Sequence, residues 1–325
     1  MTALDAGALA SWLGVAEVVL EGAPTGGGWS NDTVFVSAGG LQLVVRLTPT
    51  GTSMFPSYDL GHQVRCLELA AASGLAVPEL VGYEPTGEAL GRPFFVMARV
   101  AGRVPADDDP PFTKAGFLVE ATPGQHRAFH DAAVRCIAAV HGIPAPGFVE
   151  VGPGLGDHMA WCQQLCRWSA TAHPVIDAAH DALAAALPAH STGAPRFLWG
   201  DARPANMVLD EDFEVVAMLD WELACSGPGE LDVAWFCEMN RMRATGMGLS
   251  ALAGWPDEAT TWAQWAAAVG REPEHRGWHR RYAAYKVAVL MQLYLRAMVE
   301  RGRLPARHRL FVDNPGTRRL EELDE

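Results

Sequence analysis

Two carboxylates and one amide stand at fixed spacing in the segment 197–222, and this feature constrains the fold more than any other. The segment reads FLWGDARPANMVLDEDFEVVAMLDWE, so Asn206 follows Asp201 by five residues and Asp220 closes an apolar run. A glycine before Asp201 permits a tight backbone course, and the proline after it fixes a turn. Asp201 and Asn206 can therefore face one cavity from a loop rather than from a helix.

A short hairpin is predicted to follow this loop. Met207–Leu209 and Val215–Leu219 read as strands joined by a turn at 210–212. A hairpin of that length returns Asp220 to the side of Asn206. Few protein ligands, from amide and carboxylate oxygens, suit Mg²⁺, which keeps waters and binds nucleotide phosphates. With a carboxylate to accept a hydroxyl proton, these parts predict magnesium-dependent phosphoryl transfer. The alternative is an ordinary acidic hairpin with solvated carboxylates.

The motifs Trp199–Asn206 and Leu219–Glu222 resemble the catalytic and metal-binding signatures of the aminoglycoside phosphotransferase and choline kinase superfamily. They are most similar to bacterial phosphotransferase proteins whose domain also occurs joined to acyl-CoA dehydrogenases. The resemblance implies an α+β, protein-kinase-like fold of two lobes, with a small N-terminal antiparallel-sheet lobe and a large helical C-terminal lobe.

The resemblance also implies roles for individual residues. Asp201 is expected to be the catalytic base, and Asn206 and Asp220 are expected to bind magnesium. Arg203 matches the position of a kinase lysine that contacts the transferred phosphate. Asp232 matches the family's buried helix aspartate, which braces the catalytic loop without taking part in the chemistry.

The N-terminal part supplies a candidate phosphate-binding turn. Residues 18–47 read as a strand, a glycine-rich turn and two further strands. Backbone N–H groups of a turn that contains Gly27, Gly28, Ser30 and Asn31 can approach phosphate oxygens closely. A plain glycine-rich hairpin turn is at least as common, but this one lies at the head of a small sheet upstream of the acidic hairpin, as the kinase order requires.

Arg46 is the candidate cation for the α- and β-phosphates. The chain has only two lysines, Lys114 and Lys286, and neither lies in the third strand, where the kinase order places this cation. Arg46 is the basic residue of that strand, is permanently charged and can make bidentate contacts. A surface arginine at a strand end is the alternative.

Two positions depart from the family pattern. Gln63, in a helix predicted for residues 60–73, stands where a glutamate normally orients the cation, with Glu68 as a less well placed substitute. Gln63 could hydrogen-bond Arg46, whose full positive charge is then expected to await the nucleotide. Trp199 stands where the superfamily usually has histidine, which fits a subfamily. These departures motivate a second hypothesis, a nucleotide-binding pseudokinase that binds a ligand or partner without turnover.

The remaining strands are predicted at 76–80 and 93–100. Residues 1–100 are expected to form the nucleotide-binding lobe, and residues 101–325 the lobe with the catalytic loop, the metal site and the acceptor site. By resemblance, backbone groups around residues 98–100 meet adenine, which makes Met97 and Arg99 part of the nucleotide site. The acidic loop 106–112 is interpreted as a solvated surface loop, with a lid as the alternative.

Beyond residue 125, runs of alanine, leucine and aromatic residues without strand alternation predict helices. The predicted helices are 126–141, 159–171, 175–186, 230–242, 262–270 and 276–300. Most of the eleven tryptophans lie here and are interpreted as core packing. One or two of them, such as Trp161, Trp168 or Trp265, could line an acceptor cleft.

Composition excludes some function classes. The net charge of −13 argues against a nucleic-acid partner, because backbone binding needs clustered basic residues. The N-terminus has no basic segment and an early Asp5, and no run of about eighteen apolar residues occurs. We therefore expect a cytoplasmic protein without a membrane partner, a monomer or homodimer, with its six cysteines reduced.

Together these features predict a kinase that transfers the γ-phosphate of ATP, or of GTP, with Mg²⁺, to a hydroxyl of a small molecule. A metal-dependent phosphohydrolase is a weaker alternative, because the glycine-rich turn would then have no role.

Overall fold

The N-terminal part of the chain forms one antiparallel sheet. The computed structural model describes residues 4–24, 31–51, 53–107, 110–170, 172–189 and 193–324. The sheet has five strands, and across it the first, second and third strands along the chain are followed by the fifth and then the fourth. Its strands are β1 (Val18–Gly22), β2 (Asp32–Ala38), β3 (Leu41–Leu47), β4 (Leu80–Glu84) and β5 (Phe94–Ala98), with helix α1 (Ala6–Leu13) before β1 and helix α2 (Leu60–Ala72) after β3.

Alternation along β3 separates the core of this lobe from the cleft. Leu43, Val45 and Leu47 are buried in a cluster with side chains of α1, β2 and β5. Because successive side chains of a strand point to opposite faces, Arg46 lies on the other face of the sheet. Arg46 pairs in register with Thr33 of β2 and Phe95 of β5.

One strand was predicted at the wrong place. The segment predicted as a strand at 76–80 instead connects α2 to β4, which begins at its last residue. The Ala76 carbonyl accepts a hydrogen bond from the Met218 N–H, 2.8 Å away, so this segment contacts the C-terminal lobe. Pro78 has no N–H to donate to a sheet, which also favours the connecting role.

The C-terminal part is largely helical and carries two small antiparallel sheets. The first and last of its four strands form one sheet, and the two middle strands form the other. The elements in chain order are α3 (Phe117–Glu120), α4 (Pro123–Val140), α5 (Leu155–Ser169), α6 (Pro174–Ala185), β6 (Arg196–Leu198), β7 (Met207–Leu209), β8 (Val215–Met218), β9 (Cys225–Gly227), α7 (Glu230–Arg243), α8 (Glu258–Val269), α9 (Arg276–Glu300) and α10 (Pro315–Asp324). The predicted α+β, two-lobed fold class is confirmed.

Several helices begin earlier than hydrophobic periodicity predicts, because polar caps start them. Helix α4 begins at Pro123, where Thr122 and Gln125 form a reciprocal capping box. Helix α8 begins directly after Asp257, whose side chain accepts a hydrogen bond from the Thr260 N–H. The bounds of α9 agree with the prediction. Within the described parts of the chain, each helix is too short or too polar to cross a bilayer.

Candidate active site

The loop after β6 that carries Asp201, called the catalytic loop here after its predicted role, is held by Asp232, which lies in the first turn of α7. One carboxylate oxygen of Asp232 accepts the Gly200 N–H at 2.9 Å, and the other accepts the Trp199 N–H at 2.8 Å. Gly200 has φ +79°, and a Cβ added there would lie 1.8 Å from the Leu223 carbonyl oxygen, so the turn requires glycine. Asp232 therefore occupies the bracing position that the resemblance implied.

Three hydrogen-bond donors fix the orientation of the Asp201 carboxylate. The residue is only 7% exposed. Asn206 Nδ2 and Arg203 Nε each donate to Oδ2 at 2.8 Å, and Trp235 Nε1 donates to Oδ1 at 2.9 Å. Asn206 sits in the 3₁₀ turn Pro204–Asn206 that directly precedes β7. Since Nδ2 is occupied by Asp201, the amide oxygen of Asn206 is the atom that can serve a cation.

The hairpin β7–β8 returns Asp220 to Asn206, as its length predicts. The Leu219 N–H donates to the Asn206 carbonyl at 2.8 Å, which sets the two side chains at one end of the hairpin. Asp220 has φ +59°, an uncommon conformation for a residue other than glycine. Such conformations store local strain and concentrate at functional sites. One amide oxygen and one carboxylate fit the small set of protein ligands that Mg²⁺ takes.

Arg46 is paired with acidic side chains of the opposite lobe. Its NH2 atom lies 2.8 Å from Asp220 Oδ1 and 3.8 Å from Glu222 Oε2. Burial alone lowers the pKa of Arg46, but Asp220 and Glu222 outweigh burial and raise it. Asn31 Nδ2 also donates to Glu222 Oε2, at 2.9 Å. Arg46 of the N-terminal sheet and Asn31, directly before β2, therefore contact the acidic side chains that follow β8.

The expectation that the charge of Arg46 awaits the nucleotide is wrong. Asp220 and Glu222 already neutralise it, and among the described contacts of Arg46 no hydrogen bond goes to Gln63. Gln63 is 4% exposed and lines a neighbouring cavity. The expectation failed because it treated the third strand and helix α2 as a pair and left out the hairpin, which lies far away in sequence.

The interpretation of 106–112 as a solvated surface loop is wrong for Asp107. Asp107 Oδ1 accepts Arg243 Nε at 2.6 Å, Oδ2 accepts Arg243 NH2 at 2.7 Å, and Arg203 NH1 also donates to Oδ2. Burial raises the pKa of Asp107, but the two arginines outweigh burial and hold it well below its usual value. The loop is thus joined to the catalytic loop through Arg203.

The remaining predicted nucleotide residues lie at the sheet or outside the described part of the chain. Gly27, Gly28 and Ser30 fall outside the described residues. Met97 pairs with Val44 and Leu80 in the sheet register. The Arg99 N–H donates to the Gln42 carbonyl, while the guanidinium lies 4.2 Å from the centre of the Phe35 ring and 3.2 Å from Glu21.

Lys286 and Trp235 are site residues that sequence reasoning missed. Lys286 Nζ donates to the Gly200 carbonyl at 2.6 Å and lies 4.3 Å from the centre of the Trp235 ring, whose Nε1 contacts Asp201. One signal could have pointed to Lys286. The chain has 25 lysines and arginines, and only two of them are lysines.

Of the three tryptophans considered for an acceptor cleft, Trp161 lines the cavity beside the catalytic loop. Trp168 instead packs against the guanidinium of Arg296, 3.6 Å from the ring centre. Trp265 is buried in the core, where its Nε1 donates to His141 at 2.9 Å.

Comparisons with known proteins agree with this geometry. The sequence model described as "Phosphotransferase enzyme family" matches residues 21–283. The chain is 27% identical over 218 residues to human acyl-CoA dehydrogenase family member 11, across 64% of this chain and 26% of that protein. It thus spans about a quarter of the length of that curated relative.

Solved structures share the fold. A proposed aminoglycoside phosphotransferase from Ralstonia eutropha JMP134 superimposes with a TM-score of 0.76 at 21% identity, covering 99% of this chain and 96% of that one. The aminoglycoside phosphotransferase APH(3'')-Id of Streptomyces rimosus, in complex with ADP and streptomycin, superimposes with a TM-score of 0.52 at 15% identity. That alignment covers 82% of this chain and 94% of the other.

Proposed function

This chain belongs to the phosphotransferase enzyme family, and we propose that it transfers the γ-phosphate of ATP, or of GTP, to a hydroxyl group of a small molecule. The observation that carries the proposal is the convergence on one cleft of a carboxylate held by three donors, Asp201, and an amide and carboxylate at one hairpin end, Asn206 and Asp220. A general base and oxygen ligands for a metal are the parts that phosphoryl transfer needs.

Each side chain has a defined task in this proposal. Asp201 accepts the proton of the acceptor hydroxyl as the hydroxyl oxygen attacks the γ-phosphorus, and the bond from the γ-phosphorus to the β-phosphate oxygen breaks to release the nucleoside diphosphate. Trp235 and Asn206 keep the carboxylate aimed at that oxygen. Arg203, which donates to Asp201, lies where it can also contact the transferred phosphate. Mg²⁺, when bound by Asn206 and Asp220, neutralises charge on the nucleotide phosphates.

The nucleotide is proposed to lie between the sheet and the acidic hairpin. Arg46 would bind its phosphates when Asp220 holds Mg²⁺ instead of Arg46. Asn31 would contact the phosphates together with Gly27, Gly28 and Ser30, which lie outside the described residues. Backbone groups at the end of β5, from Met97 to Arg99, bind the purine ring of the nucleotide. The neighbour that binds ADP supports nucleotide use by this fold.

The pseudokinase alternative is not favoured, because the departures leave the reacting groups intact. The ring of Trp199 is fully buried, and its Nε1 donates to the Leu219 carbonyl at 2.9 Å. Trp199 therefore joins the catalytic loop to the hairpin, a packing role that does not displace Asp201 or Asp220.

A screen for acceptor-dependent ADP release tests the function. The protein is incubated with Mg-ATP, or Mg-GTP, and a library of hydroxylated metabolites, and products are identified by mass spectrometry. We expect ADP release that requires an acceptor and yields its phosphate ester. Nucleotide hydrolysis that is independent of every acceptor would support a phosphohydrolase instead, and nucleotide binding without any turnover would support the pseudokinase.

A further inference from the structure

A cavity of about 160 Å³ lies beside the catalytic loop, and its lining joins both lobes. Gly200, the residue before Asp201, belongs to the lining, as do Trp161, Trp235, Tyr282 and Lys286. The proposed function places the acceptor next to Asp201, so this cavity is where the acceptor is expected to bind. The charges of the lining then indicate what kind of acceptor fits.

Lys286 is the cation of the buried part of this lining. The residue is 8% exposed, and one of its three N–H donors is used by the Gly200 carbonyl. Its ammonium lies 4.3 Å from the centre of the Trp235 ring and 5.7 Å from that of Trp161. Within the described part of the chain, no carboxylate lies within ion-pair distance of it. A buried ammonium without an anion is costly, so the cavity favours a negatively charged ligand group.

Three titratable groups of the buried lining are neutral near pH 7, and a fourth, Asp232, is a carboxylate that other residues bind. Burial raises the pKa of the Cys225 thiol and of the Tyr282 phenol, and burial lowers the pKa of His158 to about 4. Asp232 is occupied by the Trp199 and Gly200 N–H groups and lies 3.2 Å from His141 Nε2. None of these groups takes the place of an anion at Lys286.

Apart from Asp232, the acidic residues of the same lining lie on the nucleotide side or are exposed. Glu222 contacts Asn31 and Arg46 on the nucleotide side. Asp59 and Glu150 are exposed at the mouth of the cavity, and Asp59 pairs with Arg65. Exposed carboxylates are hydrated and screened by salt, so they oppose an anion at the buried end only weakly.

We infer that the acceptor is a small hydroxyl compound that carries a carboxylate, which binds Lys286 while its hydroxyl faces Asp201. Trp235 connects the two ends, because its ring lies under the Lys286 ammonium and its Nε1 contacts Asp201. One ammonium balances the single charge of a carboxylate, whereas a phosphate ester brings about −2 and would leave a buried charge uncompensated. Polycationic acceptors would be repelled by the buried ammonium of Lys286.

Binding of matched probes tests this inference apart from turnover. Short hydroxy carboxylates of increasing chain length, their amides, glycerol 3-phosphate and streptomycin are titrated calorimetrically into the full chain with Mg²⁺ and AMP-PNP. The variants are Lys286→Met, which removes the charge at similar volume, Lys286→Arg, which keeps the charge, and Lys114→Met, which changes the only other lysine, an exposed one.

We expect at least one hydroxy carboxylate to bind, and its amide to bind at least about tenfold more weakly. Lys286→Met should weaken carboxylate binding by roughly ten- to a hundredfold, yet leave amide and AMP-PNP affinities within about twofold. Lys286→Arg should recover part of the loss, and Lys114→Met should behave like the wild type. A merely structural role of Lys286 would instead weaken acid and amide equally.

Equal binding of acids and amides, unchanged carboxylate binding in Lys286→Met, or tighter binding of glycerol 3-phosphate or streptomycin than of every carboxylate would overturn the inference. The inference rests on the proposed function, but the two fail differently. Phosphorylation of neutral or cationic acceptors without Lys286-dependent carboxylate binding would sink the inference alone. Lys286-dependent carboxylate binding without phosphoryl transfer to any acceptor would sink the proposed function alone.

Discussion

The guanidinium of Arg46 lies 2.8 Å from the carboxylate of Asp220, so the side chain proposed for the phosphates is paired with the side chain proposed for the metal. Both are largely buried, at 11% and 19% side-chain exposure. Opening this pair alone would leave the Asp220 carboxylate without the guanidinium and leave Arg46 with only the more distant Glu222, 3.8 Å away. In the proposed function Mg²⁺ would take the place of Arg46 at Asp220 and the nucleotide phosphates would take the place of Asp220 at Arg46, so we expect each ligand to strengthen the binding of the other.

Arg46→Ala should weaken Mg-ATP binding by about 2 kcal/mol, or roughly 30-fold, the scale of a charge-assisted contact. Arg46→Lys should recover only part, because an ammonium cannot reproduce bidentate geometry. Calorimetric titration of Mg-ATP measures both. Arg135→Ala is the control, since Arg135 forms an exposed pair with Glu214. If Arg46→Ala bound Mg-ATP as tightly as the wild type, Arg46 would not be the phosphate-binding cation, and the pseudokinase alternative would be favoured.

Asp220→Ala should raise the Mg²⁺ requirement more than Asn206→Ala, because it removes a negative ligand rather than a neutral one. Asn206→Ala should in addition lower kcat at saturating Mg²⁺, since Asn206 Nδ2 holds the Asp201 carboxylate. Activity titrated against Mg²⁺ for both variants separates the two effects. Mg²⁺ curves that are unchanged in both variants would contradict the assignment of Asn206 and Asp220 as magnesium ligands.

Asp107→Asn should destabilise the protein by about 3 kcal/mol, because it leaves the half-buried Arg203 and Arg243 without the anion that they share. We also expect a lower kcat, since Arg203 contacts Asp201. Urea unfolding measures the first effect. Asp313→Asn is the matched control, because its pair with Arg318 is exposed and should contribute less than about 1 kcal/mol. Equal losses in the two variants would contradict the role of Asp107.

Because His158 is buried, we expect the folded protein to lose stability in mild acid. Burial lowers its pKa from the usual 6.5 to about 4, so between these values the unfolded chain binds a proton that the folded chain does not. The contribution of neutral His158 to the free energy of unfolding is therefore present at neutral pH, and it is lost as the pH falls through this window. Between pH 7 and pH 5 we expect the wild type to lose about 2 kcal/mol more than His158→Gln.

His158→Gln is the informative variant because a glutamine amide can still donate to the Ser226 carbonyl, which His158 Nε2 contacts at 2.9 Å. Burial lowers the pKa of His279 to about 4 as well, so the variant should keep part of the slope. Urea unfolding at both pH values tests this expectation. Parallel slopes for the two proteins would show that His158 does not titrate in the window.

Local sequence was enough to predict the catalytic loop and the hairpin. Asp201, Asn206 and Asp220 lie within one short segment, whose glycine, proline and strand alternation determine the backbone course. The partners from other segments could not be predicted in the same way. Asp107 reaches Arg203 across 96 residues, and Lys286 reaches Gly200 across 86. No local pattern encodes such pairs, because they form only when the helices and loops pack.

The same limit explains why the expectation for the charge of Arg46 was wrong. Its strand and its orientation toward the cleft follow from alternation along β3, but its partner Asp220 lies 174 residues away. Gln63→Glu consequently does not test the charge of Arg46, which Asp220 and Glu222 already neutralise.

Loss of the base tests the account most directly. Asp201→Asn keeps the volume of the side chain but removes its ability to take the hydroxyl proton. Asp210→Asn, in the turn between β7 and β8, serves as the control. With an acceptor found by ADP release, Asp201→Asn should lower kcat by roughly two to four orders of magnitude and leave Mg-ATP affinity within about twofold. Turnover that stays within a few-fold of the wild type would contradict the assignment of Asp201 as the catalytic base.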